Sequence, residues 1–344
     1  MPSFGGSPAT WAACLLFFQT MLLVGYAYAH ASSRLPPRLH LGLHVIVALA
    51  ALSGIVHARN LPELTPSDLP PAFEVGRVLL SQVGAAYLLL FSTAPLLQRW
   101  AAWRRMRAPH RLYAVSNAGS LLALLSYPAW IEASLSLPMQ YRVWSIACGA
   151  FAIAHIGCAV LTFRSAPTSR APASALPPSA ARGVYWSVCA FVPSLFLLAA
   201  TNHITVDIAP TPLFWVLPLA LYLLSFILAF AGKVTAWRGW LAPLFVVATI
   251  GLGYNAFAEG SASLFRQLLF SLGALFIAAL FCHDALVRAR PSDEALTGFY
   301  LWIAFGGALG GLFVSLIAPL IWNDYYELEL ATLLSYGLLL FSAR

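Results

Sequence analysis

The chain of 344 residues is too apolar for a soluble globular protein, because 60% of its residues are apolar or aromatic and only 9% are charged. Soluble domains carry about 25% charged residues. This composition also excludes a disordered chain and a disulfide-rich secreted domain, so the sequence predicts a polytopic integral membrane protein. The net charge of +7 does not indicate nucleic-acid binding, since the basic residues lie in short segments between apolar runs.

Apolar runs in chain order predict an all-α fold, because a spanning helix needs about 20 mostly apolar residues. Lipid offers the backbone no hydrogen-bond partners, so runs of this length are predicted to be helices rather than barrel strands. We therefore predict a bundle of ten to eleven spans, the last of them partial. The runs lie near residues 10–30, 39–57, 78–97, 112–131, 143–163, 184–201, 212–231, 239–257, 263–282, 297–320 and 328–342.

The Lys and Arg residues predict how the chain is oriented. Of the 19, all but Arg59, Arg77, Arg142 and Arg266 fall on one set of alternate loops. The positive-inside rule assigns the richer set to the cytoplasm. This orientation places the N-terminus outside, and it makes five segments cytoplasmic: residues 30–40, 98–111, 164–183, 232–238 and 283–296.

The segment 164–183 divides the predicted bundle into two halves. It is rich in Pro, Ala and Ser and has no hydrophobic periodicity, which is typical of a linker. The N-terminal membrane half, residues 1–163, then has about five helices, and the C-terminal half, residues 184–344, has about six.

Four stretches of the sequence resemble one family. They are GGSPATW followed by LLFFQTMLLVGYAYAH, YAVSNAGSLLALLSYPAWIE, VPSLFLLAATNHITVDIAPTPLFWVLPLALYLLSFILAF, and FCHDALVRARP followed by LTGFYLWIAFGGALGGLF. Together they resemble the membrane region of bacterial membrane-bound spermidine synthase-like proteins, also described as fused transporter/spermidine synthase proteins. The resemblance implies a transporter-like bundle in the bacterial cytoplasmic (inner) membrane. No stretch matches the family's aminopropyltransferase-like domain, and no catalytic motif is present. The family's synthase activity is therefore not carried over, and the sequence favours a non-enzymatic role while leaving an enzymatic one open.

Polar residues beside one predicted span are the first candidate site. His203 and Asp207 are four residues apart in a segment followed by prolines, so on a continuing helix they share a face. A His–Asp pair near broken helices can bind a cation or carry protons, as transporter sites do. Glu132, at the outer end of another run, is predicted to line the same side. The alternative is that all three are polar residues at the membrane interface.

Histidines near the predicted cytoplasmic end form a second candidate. His40 and His44 are one helical turn apart, and His30 ends the preceding run. Three imidazoles at one corner suit a metal or a haem axial site, although hydrogen-bonded interfacial histidines are the alternative. His155 is the histidine deepest within a run. Cys282, His283 and Asp284 are predicted to form an interfacial helix end.

The glycines of GGALGGLF form two small-xxx-small pairs, which favour close helix packing. These are Gly306 with Gly310 and Gly307 with Gly311.

The resulting function prediction is a transporter-like module for a small cationic or amphipathic solute. The alternatives are a membrane anchor or scaffold for a separate soluble aminopropyltransferase-like partner and, third, a haem- or metal-binding membrane protein. No motif specifies a cofactor. The predicted partners are the lipids of the bilayer and further copies of this chain in a homo-oligomer. No nucleic-acid partner is predicted.

Overall fold

The computed structural model describes residues 8–57, 71–164, 179–208, 215–257, 263–324 and 326–342, and these residues contain helices and turns but no strand. The all-α prediction is therefore confirmed, and each of the eleven predicted apolar runs coincides with a helix. The long helices are α1 Pro8–Ser32, α2 Pro37–His57, α3 Pro71–Trp103, α4 Arg111–Ser126, α5 Leu137–Arg164, α6 Ala180–Asn202, α7 Val216–Phe230, α8 Arg238–Phe257, α9 Leu264–Arg288, α10 Leu296–Leu312 and α11 Glu327–Ser342.

Three π-helical turns extend three of these helices. They are π1 Tyr127–Ile131 after α4, π2 His203–Ile208 after α6, and π3 Phe313–Ile317 after α10. Pro128 occupies the start of π1. Because a π-turn widens the helix and shifts its hydrogen bonds, it commonly marks a functional position.

Within the described ranges, seven helical segments are long and apolar enough to cross a membrane, so the predicted count of ten to eleven spans is not confirmed. They are 37–55, 73–103, 137–164, 180–205, 238–257, 264–288 and 293–321. Helix α7 is apolar but has 15 residues, which at 1.5 Å per residue gives about 22 Å against a hydrocarbon core of about 30 Å.

The outward-facing side chains of these helices are apolar, as an integral membrane protein requires. On α5, Ile146, Ile153 and Leu161 are each about two-thirds exposed or more. They recur every seven or eight residues and so lie on one helix face. The opposite face carries the buried Ala152 and His155. Apolar residues outside and a histidine inside are the reverse of the pattern in a soluble protein, and they suit a helix surrounded by lipid.

The chain forms two compact units whose composition differs from the halves on either side of the linker. Unit 1 contains residues 1–109, 135–178 and 292–304, and unit 2 contains residues 110–134, 179–291 and 305–344. Helix α4 belongs to unit 2 because Tyr113 packs on the rings of Phe226 and Phe230 of α7. The linker segment 165–178 lies outside the described residues.

In unit 1, α3 packs against α1, α2 and α5, and α2 packs against α5. Small residues allow this close approach: Ala48, Ala51 and Ala152 are almost fully buried. At Gly25 of α1, an added Cβ would lie 2.8 Å from the Cβ of Phe91 on α3.

In unit 2, α9 packs against α6, α7 and α8, and α6 also packs against α11. The glycines of α10 meet α6. A Cβ at Gly306 would overlap the carbonyl oxygen of Ser187, and one at Gly310 would lie 2.8 Å from the carbonyl oxygen of Phe191. Gly311 is buried, whereas a Cβ at Gly307 would meet nothing within 4 Å.

Helix α9 continues past the predicted end of the run at residue 282 and ends at Arg288, so Cys282–Asp284 lie within the helix rather than at its last residues. All three residues are buried inside the helix. Two of their polar groups have partners there, because His283 Nδ1 lies 2.8 Å from Ser225 Oγ and Arg288 Nε lies 2.9 Å from Asp284 Oδ2, whereas His283 Nε2 is buried without a hydrogen-bond partner among the described residues. Partner groups within the unit therefore replace water, and the helix runs on to Arg288.

Candidate functional site

Three buried histidines gather inside unit 1. His40 and His44 come from α2 and His155 from α5, and the exposed fractions are 0%, 0% and 3%. The spacing of four residues on α2 stacks the rings of His40 and His44, with centroids 6.4 Å apart. Trp100 of α3 packs edge-on against both.

The hydrogen bonds of His40 fix its tautomer. Trp100 Nε1 donates to His40 Nε2 at 3.2 Å, and an indole N–H can only donate. His40 Nδ1 lies 2.7 Å from the carbonyl oxygen of Ser32, at the end of α1, and a carbonyl can only accept. His40 is therefore a neutral ring with its proton on Nδ1, and it anchors the ends of α1, α2 and α3.

His44 and His155 form a hydrogen-bonded pair. His44 Nε2 lies 3.2 Å from His155 Nδ1, and the ring centroids are 4.6 Å apart. The other nitrogen of His44, Nδ1, lies 3.3 Å from the hydroxyl oxygen of Tyr28 on α1. His155 Nε2 is buried and has no hydrogen-bond partner among the described residues.

This chain of groups has two proton arrangements. If the Tyr28 hydroxyl donates to His44, then His44 donates to His155, and His155 carries its proton on Nε2. If His155 donates to His44, then His44 donates to the Tyr28 oxygen, and His155 Nε2 is a bare lone pair. Interconversion moves the two bridging protons along the chain, while one proton is taken up at one end and one is released at the other, the two ends being the Tyr28 oxygen and His155 Nε2. A chain of this kind can act as a proton relay.

The pair lies well inside its helices. His44 is seven residues from the start of α2 at Pro37, and His155 is nine residues from the end of α5 at Arg164. At 1.5 Å per residue these positions are about 10–14 Å from the helix ends. Since the hydrocarbon core is about 30 Å thick, the relay extends from one end of unit 1 towards mid-membrane. Ionisable side chains at such depth are costly and mark proton or substrate paths.

Of the three histidines predicted as a corner site, the structure groups His40 and His44 but gives His30 a separate partner. His30 is half-buried, and its Nδ1 lies 3.0 Å from Thr297 Oγ1. In the part of the chain that the structure describes, no three His, Cys, Asp or Glu side chains are grouped to hold a metal ion. The metal or haem hypothesis gains no support from this arrangement, because the lone pair of His40 is already engaged by Trp100.

The predicted solute-binding residues belong to the π-turns of unit 2. His203 is half-buried and begins π2, and Glu132 is exposed and directly follows π1. The backbone of Asp207 lies in π2, while its side chain lies outside the described side chains. The segment from His203 to Asp207 is thus π-helical, where an α-helical continuation was predicted. Close to it, Thr201 and Thr205 donate to backbone carbonyls one turn earlier in the chain.

No family model matches this sequence, and no curated protein matches it either. The resemblance to spermidine synthase-like membrane regions therefore stays a prediction, and the functional argument rests on the geometry of the two units.

Proposed function

We propose that this integral membrane protein transports a small cationic or amphipathic solute and couples that transport to proton transfer through the His44–His155 pair. The resemblance to transporter-like membrane regions agrees with this proposal. The observation that carries it is the buried imidazole pair, hydrogen-bonded at 3.2 Å and connected to the Tyr28 hydroxyl.

The pair suits proton coupling better than a structural role. A buried histidine that serves packing alone is satisfied by a single arrangement of protons, as His40 is. His44 and His155 instead have two arrangements, and His155 Nε2 is left as the open end of the chain. A proton entering at one end of such a chain displaces one at the other end, and the rings need not move through the bilayer.

The π-turns of unit 2 support a solute path. Transporter sites are commonly formed where spanning helices are interrupted and backbone carbonyls become available. The three π-turns described in unit 2 do not break the helical path, but each departs from the regular α-helical hydrogen-bond pattern, and the half-buried His203 lies in one of them. We assign Glu132, His203 and Asp207 to the solute path on this basis.

The test is solute-dependent proton movement in vesicles. The purified protein is reconstituted with a pH-sensitive dye inside, and spermidine and a panel of amphipathic cations are added outside. We expect at least one solute to drive a change in internal pH with the wild-type protein. His155→Gln should reduce that change about a hundredfold, the lower end of the loss typical of a missing proton-transfer group.

His30→Gln is the matched control, because His30 belongs to the same unit and hydrogen-bonds to Thr297 outside the pair. It should keep wild-type coupling. Equal proton movement in His155→Gln and wild type would contradict the role of the pair. If no solute enters wild-type vesicles faster than protein-free ones, the transport proposal itself is wrong.

A second candidate function, a scaffold for a soluble enzyme, is favoured by one loop of unit 1. Arg104, Arg105 and Arg107 are exposed between α3 and α4, and Arg105 adopts a positive φ of 53°, so the turn presents its basic side chains outward. A soluble protein that co-purifies in equal amounts from native membranes, and is lost with Arg104→Glu/Arg105→Glu, would favour the scaffold.

A further inference from the structure

One end of unit 2 contains a basic cavity that the proposed transport function does not use. Its volume is about 330 Å³, and its lining includes Arg111, Thr235, Arg238, Asp284, Arg288 and Arg290. The ends of α4, α7, α8 and α9 meet here. The arginines come from segments that are far apart in the sequence, so the fold itself concentrates them.

The charges of this cavity do not balance. Four guanidinium groups, which stay protonated in proteins, share the single carboxylate of Asp284. Asp284 Oδ2 lies 2.9 Å from Arg288 Nε and 3.7 Å from Arg238 Nε. Among the described residues Arg111 and Arg290 have no acidic partner, so the lining carries an excess of three positive charges.

Asp284 positions two of the arginines but leaves some of their N–H donors unused. Its side chain is 9% exposed, whereas those of Arg238 and Arg288 are 47% and 37% exposed. The carboxylate engages Arg288 through Nε, and within the described residues the terminal amino nitrogens of Arg288 donate to no other group. Guanidinium groups fixed in this way are suited to bind the oxygens of a phosphate in pairs.

A second, shallow and open cavity shares part of its lining with the first and has two aromatic residues along it. It measures about 520 Å³ and shares Arg288 and Arg290 with the basic cavity, adding Arg182, Tyr185 and Phe341. The rings of Tyr185 and Phe341 pack at 6.1 Å between centroids. A charged cavity beside an aromatic one fits a ligand that carries a phosphate on an apolar body.

We propose that this cavity of unit 2 binds the phosphate group of an anionic ligand, with an anionic membrane phospholipid as the source that fits both cavities. Basic pockets between the ends of membrane helices bind anionic lipid headgroups in this way. A soluble phosphate compound shares the same chemistry, and the experiment separates the two sources. The proposal does not depend on the transport function.

The test is lipid retention by the intact protein, measured by native mass spectrometry with phosphatidylglycerol and phosphatidylcholine as probes. Wild type should retain phosphatidylglycerol over phosphatidylcholine. Arg111→Gln/Arg290→Gln should lower phosphatidylglycerol retention about a hundredfold, since each of the two lost bonds to a charged group weakens binding about tenfold. These two arginines are exposed and, among the described residues, pair with no carboxylate; Arg290 donates only to the backbone carbonyl of Val287, so the variant should fold like wild type.

Arg104→Gln/Arg107→Gln is the matched control, because it removes the same charge from an exposed loop outside the cavity. It should retain phosphatidylglycerol like wild type. In a parallel thermal unfolding series with inorganic phosphate, stabilisation that the cavity variant loses, without any lipid preference, would support the site with a soluble phosphate compound as its ligand. Equal losses in both double variants, or no effect of lipid or phosphate on wild type, would overturn the proposal.

Discussion

At the scale of single residues, two buried histidines show how hydrogen-bond partners decide what an imidazole can do. His283 of α9 lies against Phe226 with ring centroids 3.5 Å apart. Its Nδ1 reaches Ser225 Oγ, and that hydroxyl donates to the carbonyl of Tyr222 at 2.6 Å. This arrangement ends at a backbone acceptor, so the His283 tautomer is fixed. His44 instead lies between two groups that can each donate or accept, so its protons can shift.

Glu327 gives a residue-scale prediction about pH. It begins α11 and is 5% exposed, and burial raises the pKa of its carboxyl, with smaller contributions from Glu329 and Asp324. A folded-state pKa above the unfolded value means that the native protein holds the proton more tightly. The stabilisation is therefore present below the unfolded-state pKa of the carboxyl, and it is lost as the pH rises through the raised pKa of the folded state.

We expect Glu327→Gln to raise the thermal midpoint in detergent at about pH 8 and to have little effect at about pH 4, where the carboxyl is protonated in both states. Glu329→Gln is the control on the same helix, because Glu329 is exposed, and its effect should be smaller. A midpoint difference between Glu327→Gln and wild type that stays constant with pH would refute the explanation.

At the scale of elements, α10 shows how neighbouring glycines differ in role. Gly306 faces α6 so closely that a Cβ would overlap the Ser187 carbonyl oxygen, while a Cβ at Gly307 would meet nothing within 4 Å. The carbonyl of Gly307 accepts a hydrogen bond of 2.9 Å from Ser194 Oγ. Close backbone contact at Gly306 and the hydrogen bond from the Ser194 hydroxyl therefore hold α6 and α10 together along one face.

We expect Gly306→Ala to destabilise the protein by about 1–3 kcal/mol, the usual cost of overpacking. Gly307→Ala should be neutral or slightly stabilising, because alanine favours a helix over glycine by about 1 kcal/mol. Thermal unfolding followed by tryptophan fluorescence measures both. Equal midpoints for the two variants would show that α6 and α10 do not meet closely at Gly306.

The π-turns are an element-scale feature with a consequence for length. Helix α4 ends at Ser126, but π1 and a short helical segment continue the helical path to Ser134. From Arg111 to Ser134 this path is about 36 Å long at 1.5 Å per residue. It is therefore long enough to cross a bilayer even though α4 alone is not.

At the scale of the whole molecule, the orientation is open to a direct test. In a cysteine-free background, Met106→Cys and Ser136→Cys place single thiols at exposed positions on either side of this path. We expect an impermeant maleimide added to intact spheroplasts to label Ser136→Cys. Met106→Cys should react only after permeabilisation, because the arginine-rich loop is predicted to be cytoplasmic.

The reverse labelling pattern would refute the predicted orientation. Labelling of both thiols from one side would show that residues 111–134 do not cross the membrane. Neither outcome would contradict the helical fold, because the fold follows from the apolar runs and the orientation follows from the positions of the basic residues.

The sequence by itself determined the class of structure. A charged fraction of 9% leaves lipid as the solvent, and lipid forces backbone hydrogen bonds into helices, so the apolar runs correspond to the observed helices. The close packing of Gly306 and Gly310 of α10 could also be predicted, since small residues four apart lie on one helix face, whereas a Cβ at Gly307 of the second predicted pair would meet nothing within 4 Å. His155 could be recognised as a deep ionisable residue, although its partner could not.

Only the tertiary structure decided which distant residues meet. His44 and His155 are separated by 111 residues, and the basic cavity combines side chains from positions 111, 235, 238, 284, 288 and 290. The end of α9 was placed too early for the same reason, because Ser225 and the nearby arginines provide partners for His283 Nδ1 and Asp284 inside the unit. Helical periodicity specifies which face of a helix a residue occupies. The partner across that face depends on how helices pack, and packing is a property of the whole chain.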